Sequence, residues 1–176
     1  MRKVILFIAM SLDGYIADKD DRVDWLGGQC SDMGDGDAYS EFIKDIDTVV
    51  MGWKTYHQVA SELSPSEWVY QNLTSYVITH RENVSTKEIK FVNESPELLV
   101  QRLKEQCGKD IWICGGANII AQLMSRGLID KFHISIIPTI LGNGIRLFGT
   151  LDSEFPLKLT EIKHYNGITE VIYEKR

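Results

Sequence analysis

The residues best placed to do chemistry are two glycines. The stretch Ile111-Trp-Ile-Cys-Gly-Gly-Ala-Asn-Ile-Ile-Ala-Gln-Leu-Met124 runs from an apolar strand through Gly115-Gly116 into a segment with apolar residues at 119, 120, 123 and 124. That pattern reads as a buried strand, a turn and an amphipathic helix. Glycines at such a junction let another molecule lie against bare backbone, because no Cβ intervenes. The helix that follows aims its unpaired N–H groups at the same point, which suits a phosphate. A plain tight strand-to-helix turn explains the same residues, and the spacing is not the G-x-G-x-x-G dinucleotide fingerprint. A second strand–glycine–helix junction occurs at Gly52-Trp-Lys-Thr55. Lys54, His80 and Arg81 each follow a strand, where loops can gather positive charge, and an always-charged guanidinium suits a phosphate. The bland alternative is that Lys54 and Arg81 are simply exposed charges.

Other chemistries find little support. There is no Gly-x-Ser-x-Gly elbow and no metal-ligand spacing. The acidic cluster Asp18, Asp20, Asp21 and Asp24 fails the EF-hand pattern, whose sixth and twelfth positions fall on Val23 and Gln29. Three cysteines (Cys30, Cys107, Cys114) have an odd count and no CxxC spacing, so a reducing cytoplasm is expected rather than a disulfide framework or zinc site. The net charge of -6 disfavours nucleic acid or an anionic membrane as partner, yet leaves room for an anionic cofactor in a local positive pocket.

The elements that must position these residues follow from the hydrophobic pattern. At 176 residues, with 44% hydrophobic and 25% charged residues, one domain (1–176) with a sizeable core is expected. Arg2-Lys3 followed by Val4 to Met10 imitates a signal peptide, but the run is short and lacks a credible cleavage site, so Lys3 to Ala9 reads as a central strand. No stretch approaches the length of a membrane span. Asp37 can cap a helix running to about Asp45. Thr48–Met51, Tyr76–Thr79 and Lys90–Val92 read as strands. Ser95-Pro-Glu starts a helix with Leu98, Leu99, Leu103 and Cys107 inward. Gly127 ends the helix after the glycine pair, Phe132–Ile137 is a strand closed by Pro138, and Asn166-Gly167 joins two final strands as a hairpin. The class is α/β: a mostly parallel sheet with crossover helices, ending in an antiparallel hairpin.

Five segments then occur in a fixed order: Ile8-Ala-Met-Ser-Leu-Asp-Gly-Tyr-Ile-Ala17, Val49-Val-Met-Gly-Trp-Lys-Thr-Tyr56, Tyr76-Val-Ile-Thr-His-Arg81, Ile113-Cys-Gly-Gly-Ala-Asn118 and Ile134 to Phe148 with its Pro-x-x-Leu-Gly-x-Gly. Together they resemble the dihydrofolate-reductase-like superfamily, and most closely the reductase domain of the bifunctional deaminase-reductases of riboflavin biosynthesis. The resemblance spans nearly the whole chain. It implies a three-layer αβα fold, a homodimer for which the apolar strand Phe132–Ile137 and the Pro138 loop offer a face, and NADPH as hydride donor. The zinc deaminase domain has no counterpart here, so deamination is not expected. By the same resemblance, Ala9 and Ile16 would line the nicotinamide pocket with Trp25 beside it. Gly52, Lys54 and Thr55 would meet the phosphates, Thr79, His80 and Arg81 the adenosine 2′-phosphate. Gly115, Gly116, Ala117, Asn118 and Ile119 would hold the pyrophosphate.

Two features depart from those riboflavin reductases. Cys114 stands where they carry a glutamate toward the substrate, and the helix of residues 37–45 is net acidic where they carry arginines. Asp37 is the first candidate for a substrate-side carboxylate, with an N-cap as its alternative. Asp13 reads as a loop-fixing residue. Trp25 either covers the nicotinamide or anchors a long loop. Cys114 is a reactive thiol or a small hydrophobe. His133, in an apolar strand with no evident partner, reads as a core or interface histidine, and His57 and His164 as solvent-facing. The expected activity resembles 5-amino-6-(5-phosphoribosylamino)uracil reductase: hydride transfer to a small heterocyclic, carbonyl or imine substrate. Dihydrofolate reduction, and a non-catalytic nucleotide-binding dimeric scaffold, are the competing expectations.

Overall fold

The computed structural model describes residues 1–30, 38–151 and 154–176. Among these, eight strands form one sheet in the order β5-β4-β3-β6-β1-β7-β10-β9. Their ranges are β1 Val4–Ser11, β3 Ile46–Gly52, β4 Thr74–Ile78, β5 Ile89–Val92, β6 Asp110–Gly115, β7 Lys131–Ile137, β9 Leu157–Tyr165 and β10 Ile168–Lys175. Neighbours from β5 to β7 pair in parallel, and β10 runs antiparallel to both β7 and β9. A small second sheet joins β2 (Tyr15–Ala17) to β8 (Ile145–Arg146). The helices are α1 Ala38–Phe42, α2 Trp53–Gln58, α3 Pro96–Lys104 and α4 Ala117–Ser125. None of the described helices is long and apolar enough to cross a membrane.

The sheet is covered on both faces, which is why β1 reads as a continuous apolar run. On one face Leu6, Val50 and Ile113 pack against Leu99 and Leu103 of α3 and Ile120 and Leu123 of α4, all fully buried. Burial of each such side chain stabilises by about 1.5–3 kcal/mol. On the other face Ile5, Val49, Met51 and Trp112 meet Phe42, Ile43, Trp53, Tyr56 and Trp68. The crossover from β1 to β3 goes one way along the sheet and that from β6 to β7 the other, so a crevice opens at the carboxyl ends of β1 and β6.

Local signals produce the elements that frame this crevice. Ser95 caps α3 by accepting the Leu98 N–H, and Pro96 fills the first turn. The buried stripe of α3 is Pro96, Leu99, Val100 and Leu103, a spacing of three and four. Leu98, 57% exposed, and Cys107 face solvent, contrary to the inward placement expected from the sequence. Asn166 (φ 45) and Gly167 (φ 76) supply the two positive φ values that a two-residue hairpin needs. Asn166 also exchanges hydrogen bonds with the Cys30 backbone, pinning the end of the first long loop to the hairpin. Asp13 has the expected loop-fixing role: it accepts from Ser11 Oγ and from the N–H groups of Leu141 (3.1 Å) and Gly142 (2.7 Å). The Ser11 hydroxyl and these amides outweigh partial burial and hold its pKa at about 2.

His133 is a core histidine, the first of its two readings, and it has a partner that the sequence pattern does not show: its Nε2 lies 3.1 Å from Glu170 Oε2, and Glu170 Oε1 accepts from Ser135 and Tyr165. Glu170 is fully buried on β10; burial pushes its pKa up, but His133 and the two hydroxyls outweigh this and hold it below the usual carboxylate range. Within the chain β7 is paired on both edges and Phe132, Ile134 and Ile137 are buried, while Pro138 and Ile140 of the loop beyond it are exposed.

Candidate functional site

The carboxyl ends of β1, β3, β4 and β6 wall a cleft of about 1210 Å³. At its centre β6 ends in Gly115, whose φ of 132° lies in the region that favours glycine, and Gly116 becomes the N-cap of α4 with no side chain capping it. The unpaired N–H groups of that first turn therefore face a space that no Cβ occupies. A Cβ on Gly116 would stand 3.5 Å from Thr55 Oγ1. Gly52 caps α2 in the same way, again without a side-chain cap, and Ile119 from α4 packs over it. Two glycine-opened helix starts thus meet across the gap between neighbouring strands β3 and β6.

Two cations, Lys54 and Arg81, line the cleft beside the carboxylates of Asp20, Asp21, Glu62 and Glu94. Lys54, on the first turn of α2, is 87% exposed and only loosely paired with Asp21 at 3.9 Å. Arg81, beyond β4, lies with its guanidinium 5.1 Å from the Trp53 ring centroid. His80 beside it is hydrogen-bonded to Asn93. The end at β1 and β6 is apolar: Ile8, Ala9, Ile16, Ala17, Leu26 and Ile145 line it with Tyr70 and Cys114. The Tyr70 hydroxyl stands 3.9 Å from Cys114 Sγ. Burial pushes the Cys114 thiol up to about 11 and raises the Tyr70 hydroxyl further still, so both groups are neutral at pH 7. Among the described residues no group of His, Cys, Asp and Glu is arranged to hold a metal ion.

The cleft brings together Ala9, Ile16, Gly52, Lys54, Thr55, His80, Arg81 and the run Gly115 to Ile119. It does not include Trp25 or Thr79. Trp25 donates from Nε1 to the Arg22 carbonyl, while its neighbours Val23 and Leu26 line the wall. Thr79 is buried and accepts the Arg81 N–H on its hydroxyl, shaping the turn that presents Arg81. Asp37 lies outside the described residues. His57 is exposed, as expected, yet borders the cleft. Tyr70 is the wall residue that pattern reading misses; the aromatic pair Trp68 and Tyr70 within a polar stretch is the signal that could have found it.

An open, mostly parallel sheet with helices on both faces and a glycine-floored cleft at its strand ends defines a three-layer α/β domain. The chain belongs to the RibD C-terminal domain family, whose model matches residues 2–173. It is 39% identical over 174 residues to the uncharacterized protein YwjB of Bacillus subtilis, covering 98% of this chain and 97% of that one. A second Bacillus subtilis protein, the uncharacterized YyaP, is 31% identical, covering 98% and 94%. Among solved structures, a protein from Shewanella sp. PV-4 named for riboflavin biosynthesis superposes with a TM-score of 0.86 at 26% identity, covering 99% of both chains. The fold is shared with a Thermotoga maritima diaminohydroxyphosphoribosylaminopyrimidine deaminase/5-amino-6-(5-phosphoribosylamino)uracil reductase (TM-score 0.73, 15% identity), with 99% of this chain matching 57% of that one.

Proposed function

We propose that the protein is an NADPH-dependent reductase of a small heterocyclic, carbonyl or imine compound, similar to the reductases of riboflavin biosynthesis. One observation carries the reading: two glycine-opened helix starts, Lys54 and Arg81 converge on a single cleft whose far end is apolar. In this reading the pyrophosphate rests on Gly115 to Ile119, with the Thr55 hydroxyl beside it. Lys54, His80 and Arg81 meet the remaining phosphates, the 2′-phosphate among them. Ala9 and Ile16 flank the nicotinamide. When bound, the cofactor supplies a hydride to the acceptor carbon, and a proton joins the neighbouring nitrogen or oxygen. The residues of the chain orient the two rings, exclude water at the apolar end and neutralise the phosphates. Asp37 is proposed as the carboxylate on the substrate side. The homodimer that the family resemblance implies belongs to the same reading.

The test is titration of NADPH and NADH, by fluorescence or calorimetry, on the wild type and on Arg81→Ala. Arg81→Ala removes a charge-assisted hydrogen bond to the 2′-phosphate, so it weakens NADPH roughly tenfold or more and leaves NADH nearly unchanged. Absence of NADPH binding to the wild type overturns the reading.

A further inference from the structure

One face of the sheet is left partly open over its last strands. Met10 of β1 stands opposite Ile136 of β7, Ile136 opposite Thr169 of β10, and Thr169 opposite His164 of β9. One row down, Ile134, Val171 and Ile162 are aligned in the same way, and below them Phe132, Tyr173 and Leu159. Residues opposed across a ladder point to one face, and their chain neighbours point to the other. These rows share the face on which α3 and α4 pack against β1, β3 and β6. Toward β9 the cover thins. Met10, Ile136, Val171 and Tyr173 are half-buried, and Leu159 and Ile162 are 44% and 58% exposed. At the head of the same strands Leu12 is 61% and Ile140 70% exposed, and the Leu12 N–H donates to the Thr139 carbonyl, so the two loops lie together.

Charge is sorted between the two faces of these strands. Lys131, Glu174 and Lys158 are aligned on the opposite face, and so are Glu170 with Lys163 and, beside them, Glu161. The three apolar rows hold no lysine, arginine, aspartate or glutamate, and Lys175 below them is turned to the Gly127 carbonyl at 3.2 Å. An antiparallel strand with one wet face ordinarily turns polar residues to it, whereas β9 turns out Leu159 and Ile162. With Leu12 and Ile140 these leave roughly 400 Å² of apolar surface open on each copy, the size at which such patches mark interaction sites. The half-buried neighbours bring a two-fold pair close to about 1,200 Å², the lower limit of specific interfaces. An anionic membrane finds no basic residue in these rows, and a charged partner finds no counter-charge. A second copy needs neither. A two-fold axis lays the face on itself, and two chains of net charge -6 meet there without opposing like charges. We propose that two copies of the chain pack this face against one another about a two-fold axis, with Leu159 and Ile162 of each inside the contact. This surface rests on the homodimer of the reading above and is independent of its cofactor.

Sedimentation equilibrium of the full chain at roughly 1–100 µM reads the assembly directly. Ile162→Glu places a carboxylate in the contact on both copies. Val84→Glu, at a position 89% exposed on the loop beyond β4, adds the same charge away from it. The wild type and Val84→Glu are expected to dimerise equally, and Ile162→Glu to raise the dimer dissociation constant at least roughly tenfold. Ile162 is exposed in the single chain, so its variant should keep the wild-type circular dichroism spectrum; Leu159→Glu gives an independent second variant with the same expected result. A wild type that is monomeric throughout, or a dimer that both variants leave intact, overturns the assignment. Capture of a monomeric wild type by phosphatidylcholine vesicles gives the face to lipid and overturns it as well. NADPH titrated in parallel keeps the readings apart: a wild-type dimer that does not bind NADPH refutes the cofactor reading and leaves this surface in place.

Discussion

Thr55→Val isolates one hydroxyl of the cleft. Thr55 sits on the first turn of α2, half-buried, and its side chain makes no hydrogen bond among the described residues. Its Oγ1 points at the glycine floor, 3.5 Å from where a Cβ on Gly116 would be. Valine has nearly the same shape, so no cavity forms and no internal bond is broken. Folding stability should therefore change by no more than about 0.5 kcal/mol. Cofactor affinity should change far more. A hydrogen bond to a charged acceptor contributes about 1.5–3 kcal/mol, so removing one from Thr55 to a phosphate oxygen weakens NADPH roughly ten- to a hundredfold. The assay is fluorescence titration of NADPH beside urea denaturation of the same preparations. Matching urea midpoints with a large drop in affinity support the placement of the pyrophosphate. A dissociation constant within about twofold of the wild type, with the midpoint unchanged, refutes it.

Two predictions concern the scaffold. Glu170→Ala removes the buried acceptor that His133 and Ser135 share, and breaking a buried pair of this kind costs about 3–5 kcal/mol. For a chain of this size that lowers Tm by roughly 6–20 °C by calorimetry; a drop below about 2 °C would show that the cluster contributes little. Asp13 has its folded pKa lowered from 3.8 to about 2, so its ionised form contributes stability that is present above pH 3.8 and is lost as pH falls through about 2. The difference in urea midpoint between wild type and Asp13→Asn should therefore be constant down to about pH 4 and shrink below it; a difference that grows on acidification would reverse the assignment.

The fold was legible wherever the cause is local. The continuous apolar run of β1, the Ser95-Pro96 cap and the Asn166-Gly167 turn each determine a conformation from a few neighbouring residues, and the structure has all three. The pairing of β2 with β8 was not legible, since three residues and two residues carry no periodicity. The pattern turns Leu98 inward for a related reason. Leu98, Leu99 and Val100 are consecutive apolar residues, so their pattern fits more than one helix face, and packing against α4 selects the face that leaves Leu98 out. His133 and Glu170 lie 37 positions apart, and their meeting depends on the register of β10 against β7, which neither strand encodes alone.

The candidate site divides along the same line. A phosphate needs open backbone N–H groups and a fixed cation, and a strand–glycine–helix junction followed by Lys54 or a strand followed by Arg81 supplies these within a few residues. The stretches that wall the cleft around Gly52, Arg81 and Gly115 were accordingly readable, whereas the side chains of Trp25 and Thr79 serve the backbone around them. The apolar part of the wall has no such local cause. Ala9, Leu26, Tyr70 and Cys114 come from four distant segments, and each alone is an ordinary apolar or aromatic residue. Cys114 shows the difficulty most directly. As a letter in β6 it is equally a small hydrophobe or a reactive thiol, but burial raises its pKa to about 11 and the Tyr70 hydroxyl stands 3.9 Å away. A thiol so placed is a neutral wall rather than a nucleophile.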